Sequence, residues 1–242
     1  MIAPSTVQFT AAVLYAGWAI ALLAIVGRRS PTARRYCYPF IAVVALTAVT
    51  VGLRGAGVGV VPLGTGELEV PQAVGDYLAY PLLFGFAAFV AGVSRRYVGA
   101  VVATILAMRF AYDVADLFDG ALGLASTAVI LIGYAVLVWL YFGPVAAAAT
   151  RQAPKRALLY RKTRNLVLFV FGVLIAWAMV QLFGVFDPFT QAITLEYIDF
   201  VLRVGFAALV IANAETLVGD GDEPEGGVDA DSPANTPSMT AD

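Results

Sequence analysis

The chain has no histidine and a single cysteine, Cys37, in 242 residues. A disulfide framework is therefore excluded, and so is any imidazole metal ligand or imidazole general base. Lysine is almost as scarce: only Lys155 and Lys162 occur, seven residues apart. Charge is low overall, at 13% against 60% hydrophobic residues, whereas soluble domains carry roughly 25%. These shortages describe a protein whose solvent is lipid. No catalytic triad, metal motif or phosphate loop appears, so enzyme activity is not expected, and nothing in the chain addresses nucleic acid.

What the chain has in abundance is long apolar runs. About 20 apolar residues cross a hydrocarbon core of roughly 30 Å, and seven such stretches occur: Val7–Val26, Cys37–Val61, Ala73–Val93, Tyr97–Leu117, Ala121–Phe142, Arg164–Phe183 and Gln191–Val218. The opening residues lack the basic n-region and cleavage site of a secretory signal, so the first run is expected to stay. Twelve of the fifteen basic residues fall in the loops after the first, third and fifth runs: Arg28, Arg29, Arg34, Arg35, Arg95, Arg96, Arg151, Lys155, Arg156, Arg161, Lys162 and Arg164. The opposite loops, GTGELEVPQ, LFDG and FDPFTQ, have none. Positive charge stays in the cytoplasm, which puts the N-terminus outside and the C-terminus inside. The fold class expected is an all-α membrane protein, a seven-helix bundle over residues 1–218. Residues 219–242 carry seven acids and no base among Gly, Pro and Ser, and are expected to form a disordered acidic cytoplasmic tail.

Three basic residues remain, each inside an apolar run, where a charge is expensive and marks the working interior. Arg203 follows Asp199 by four residues, which places both on one helix face. At 1.5 Å per residue they lie roughly 18 and 12 Å below the outer end of the seventh helix. Arg109 and Asp113 form a second such pair on helix four, with Asp116 a turn further out. Asp76 enters helix three from the same side, five residues before Pro81, a helix-bending residue. Glu196 belongs to the same outer charged cluster, and Arg54, near the outer end of helix two, is expected to snorkel. The charges converge on the outer half of the bundle.

Over its whole length the chain resembles the microbial rhodopsins of haloarchaea, the bacteriorhodopsin and sensory rhodopsin group. SPTARRYCY (30–38) is similar to that family's first cytoplasmic loop, GDYLAYPLL (75–83) to its third-helix motif, and YFG (141–143) and KTRN (162–165) to the ends of its fifth-to-sixth connection. DFVLRVGF (199–206) resembles the seventh-helix motif D-x-x-x-K-V-G-F. The resemblance implies that Asp199 and Asp76 are counterion-like, and that Arg203 stands where the family's lysine carries retinal as a Schiff base.

A guanidinium stays protonated and does not condense with an aldehyde, and both lysines lie in the cytoplasmic loop. No cofactor is therefore expected: covalent retinal is excluded on this reading, with room left for a non-covalently held apocarotenoid. The family's proton-donor carboxylate would fall at Phe86 or Ala87, and its third-helix arginine at Ala73. Tyr80, Pro81, Trp139, Phe171 and Trp177 are the candidate pocket-lining residues, with Phe171 in place of a family tryptophan. The chain is thus expected to be an opsin-like protein that neither carries covalent retinal nor pumps. It would act through partners in the bilayer, either a second copy or another membrane protein; the alternatives are a binder of a lipophilic ligand and a passive ion pathway.

Overall fold

The computed structural model describes residues 3–181 and 186–218. Seven long helices and one short one follow in order: α1 Pro4–Val26, α2 Pro31–Gly55, α3 Val70–Val90, α4 Arg95–Leu117, α5 Gly120–Phe142, α6 Pro144–Ala149, α7 Pro154–Gln181 and α8 Pro188–Ala212. Proline opens several of them, at the position where its fixed φ fits and its missing N–H is not needed. Ser30 caps α2 by accepting from Ala33 N at 3.3 Å. Asp187 caps α8, accepting from Phe189 N at 2.9 Å and Thr190 N at 3.1 Å.

Among the described residues, six helical segments are long and apolar enough to cross a membrane: α1 to α4, α5 continued through α6, and α7. The seventh crossing is α8, which carries Glu196, Asp199 and Arg203 and buries all three inside the bundle. Sequence neighbours pack side by side, and α8 closes the ring against α1, α2 and α7. Buried apolar side chains line the interior, while α1 and α5 present Val13, Ile20, Leu124 and Ile132 outward to lipid.

Several boundaries differ from the apolar runs. Helix α2 stops at Gly55, not Val61, because Gly57 and Gly59 take positive φ (68° and 81°) and turn the chain. The outer loop beyond is a β-hairpin, β1 Val60–Leu63 with β2 Gly66–Glu69, in antiparallel register Val60 to Glu69 and Leu63 to Gly66. Its tip is pinned to the end of α4, since Thr65 N donates to Leu117 O at 2.9 Å. Helix α7 starts at Pro154, ten residues before the apolar run, so the basic residues from Lys155 to Arg164 ride on its cytoplasmic turns. The acidic tail, residues 219–242, lies outside the described residues.

Candidate functional site

Asp76, on α3, occupies the middle of the buried charge cluster. Its Oδ1 accepts from Arg203 Nη2 of α8, and its Oδ2 accepts from Arg109 Nε of α4 at 3.1 Å. One carboxylate thus joins two guanidiniums from different helices, all three side chains being buried. Arg203 Nη2 also reaches Asp199 Oδ2 at 3.1 Å, and its Nη1 donates to Thr47 Oγ1 on α2 at 2.8 Å. Tyr80 OH donates to Asp199 Oδ1 at 3.1 Å, with its ring beneath the Arg203 guanidinium at 5.6 Å. Arg109 in turn pairs with Asp113, which accepts from Tyr77 OH at 2.9 Å.

Three carboxylates, Asp76, Asp113 and Asp199, therefore hold two cations, Arg109 and Arg203. Buried charges persist only when paired and hydrogen-bonded in this way. One atom escapes: Arg203 Nε is buried without a partner among the described residues. A separate outer cluster sets Arg54 between Glu69, at 2.6 Å, and Glu196, at 3.0 Å. Arg54 does not snorkel, because the hairpin brings a carboxylate to it.

Next to the cluster is a cavity of about 550 Å³, lined by α3, α4, α5, α7 and α8 and open at its outer end. Asp76, Tyr80 and Arg109 form one wall, Met108, Ile130, Phe171 and Ile175 the apolar end, and Asp116 and Asp119 lie at the outer end. Phe171 meets Tyr80 edge-on at 5.6 Å and Phe84 at 5.1 Å. Arg203 is not among the lining residues; Asp76 and Tyr80 are, and both bond the Arg203–Asp199 pair or one of its members.

Of the five pocket-lining candidates, Tyr80 and Phe171 line this cavity. Pro81, Trp139 and Trp177 do not. Trp139 is 64% exposed on the outside of α5, a helix apolar all round whose sequence does not reveal which face turns inward. Trp177 stacks against Phe186 at 4.9 Å instead. Pro81 sits within α3, partly buried, away from the lining.

Several contributors were not singled out from sequence. Thr47 is one, and it shares a helical face with Thr50 and Arg54 at three- to four-residue spacing, a signal that this stripe of α2 faces polar groups. Gly75 is another. A Cβ there would lie 3.2 Å from Thr50 Oγ1 and 3.5 Å from Arg203 Nη1, so the glycine leaves the space the guanidinium occupies. Gln72 and Tyr112 complete the polar end of the cavity.

No family model matches the chain. Sensory rhodopsin-2 of Natronomonas pharaonis is 25% identical over 206 residues, covering 83% of this chain and 85% of that protein. The light-driven proton pump LR (Mac) from Leptosphaeria maculans superposes with a TM-score of 0.80 at 14% identity, over 90% of this chain and 97% of its own. Xanthorhodopsin, a light-driven ion pump with dual chromophore, does so with a TM-score of 0.69 at 15% identity, over 88% and 92%. At such identities the structural likeness is one of fold. Together these relatives belong to a retinal-binding group, and this overturns the expectation of no cofactor. The physical reason is that the chemistry of residue 203 bears on attachment alone, whereas the space for a ligand is made by the bundle and is present.

Proposed function

Because the chain belongs to the microbial rhodopsin family, as a multi-pass protein of the cell membrane, we propose that it is a retinoid-binding membrane receptor that acts through a partner in the bilayer and does not pump ions. The observation that carries this reading is the cavity wall. Asp76 both lines the cavity and holds Arg109 and Arg203, so a ligand pressed against it acts directly on the pairing of three helices. A volume of about 550 Å³ is in the range of small-molecule sites.

In this reading Arg203 takes the place of the family's retinal-bearing lysine, and Asp199 and Asp76 serve it as counterions. The polyene is held by the fit of the cavity and by its polar contacts. Its occupancy is passed to a second copy or another membrane protein. Residues 219–242 form an acidic cytoplasmic tail beyond the 1–218 domain. The relatives are sensory proteins and pumps, and a receptor without enzyme activity is in keeping with them.

Against pumping stands the inner half of the bundle. Phe86 and Ala87 offer no carboxylate, and Phe40, Phe86 and Phe206 pack into one aromatic group with centroids 4.7 to 6.2 Å apart. A passive ion path would meet the same obstruction.

The test is titration of the purified full chain in nanodiscs with all-trans retinal, read by absorbance and by quenching of protein fluorescence. Saturable binding is expected, and borohydride treatment followed by intact-mass measurement reads how the retinal is held. Absence of saturable binding overturns the receptor reading. Light-driven acidification or alkalinisation by retinal-loaded proteoliposomes overturns its non-pump part.

A further inference from the structure

The end of the bundle away from the cavity's mouth is strongly one-signed. It carries the connections α1–α2, α3–α4 and α6–α7, and with them twelve of the fifteen basic residues. Six of these, Arg28 and Arg35 beside the start of α2 and Arg151, Lys155, Arg161 and Lys162 around the start of α7, are exposed and enter no ion pair among the described residues. The one acid on this face, among the described residues, is Glu215. It belongs to a 3₁₀ turn, Ala214–Leu217, that follows α8 and packs against both α2 and α7. Its carboxylate accepts from Ser30 N at 3.1 Å and from Ser30 Oγ at 2.8 Å, and Leu217 beside it is buried. The turn is thereby fastened in place, and the chain runs past Val218 with an arginine-rich segment on either side.

We propose that residues 219–242 dock on this basic face, as an acidic strap over the starts of α2 and α7. Charge complementarity is the first reason. The face carries twelve positive charges against the one negative charge of Glu215, and the seven acids of residues 219–242, with no base among them, cut that surplus of eleven to four. Reach is the second. Twenty-four residues span on the order of 25 Å even as a coil, and tethering at Val218 holds their acids near the face at about millimolar effective concentration. Each exposed pair is weak on its own, so the contact depends on several at once and loosens as salt screens them. The strap leaves the face covered, and an acidic partner that uses it has to displace residues 219–242 first. This inference does not rest on retinoid binding.

The scarcity of lysine supplies the test. A carbodiimide joins a carboxylate to an amine with loss of water, and Lys155 and Lys162, both on this face, are the only side-chain amines in the chain. The full chain in phosphatidylcholine nanodiscs is cross-linked, digested and read by mass spectrometry. Isopeptide bonds from Lys155 or Lys162 to acids between Asp220 and Asp231 are expected. The variant Arg28→Gln/Arg35→Gln/Arg151→Gln/Arg161→Gln keeps both lysines, breaks no ion pair among the described residues and leaves eight of the twelve basic residues to hold the orientation. Its fold is checked by thermal unfolding. It is expected to lower the yield of those bonds about fivefold, as is strong salt acting on wild type. Equal yields in variant and wild type would show tethering without docking and overturn the proposal. A wild-type yield indifferent to salt would do the same with no variant needed. In phosphatidylglycerol nanodiscs the yield is expected to hold; its loss there would give the face to anionic headgroups and overturn the proposal as well.

Discussion

At the scale of single residues, Asp76 is the side chain whose loss reaches furthest. Each of its oxygens holds a different guanidinium, and it is only 3% exposed. Removing one partner of a buried pair costs about 3–5 kcal/mol, because the other charge is left without compensation. Asp76→Asn leaves one acceptor for two cations and turns an N–H₂ toward one of them. We expect a loss of that order, measured as the shift in detergent-monitored unfolding of helix content. Asp116→Asn, which breaks no pair among the described residues, stays within about 0.5 kcal/mol of wild type. Gly75→Ala is a subtler probe of the same cluster. Its Cβ crowds Thr50 and the Arg203 guanidinium, so a destabilisation of about 1 kcal/mol is expected, in the range of mild overpacking.

At the scale of elements, the entry into α8 is fixed by Asp187. Its carboxylate accepts from the Thr190 hydroxyl at 2.7 Å and from the Thr190 and Phe189 amides, and these bonds hold its pKa below the ordinary aspartate value. A carboxylate with a lowered folded pKa adds stability that is complete above its unfolded value, near 3.9, and disappears as pH falls through the folded one. Wild type should therefore melt above Asp187→Ala at about pH 6, with the difference closing below about pH 4; a difference independent of pH would show that the cap does not act through its charge. Legibility from sequence divides along the same lines. Arg203 with Asp199, and Arg109 with Asp113, are i,i+4 pairs, and helical period alone brings them together. The bridging of both arginines by Asp76 depends on how α3, α4 and α8 pack, and no local spacing encodes that. The hairpin escaped notice because its strands are four residues each, one containing Pro62 and the other two glutamates. Trp139 was misplaced for the opposite reason: a helix uniformly apolar, such as α5, carries no stripe to say which side meets lipid.

At the scale of the whole molecule, the bundle is divided across the membrane. Its outer half holds the arginine–carboxylate cluster, the cavity and the hairpin with its glutamates. One turn inward from Arg203, Phe206 packs against Phe40 and Phe86, and below them tyrosine hydroxyls are spent on backbone carbonyls, Tyr141 on Phe84 O and Tyr160 on Tyr141 O. Those bonds tie α3, α5 and α7 together without offering a titratable relay. A transport path needs polar continuity from face to face, and here polarity stops at the aromatic group. Protein-containing liposomes loaded with a pH-sensitive dye should therefore leak protons no faster than empty ones. Phe40 contacts both other rings, so Phe40→Ala opens the junction between the polar outer half and the inner half at a cost of about 3–5 kcal/mol. In folded, reconstituted protein this variant should raise the proton flux above the wild-type baseline. Wild-type flux well above that of empty liposomes would mean that water already passes the aromatic group, and the division of the bundle into a polar outer half and a sealed inner half would have to be abandoned.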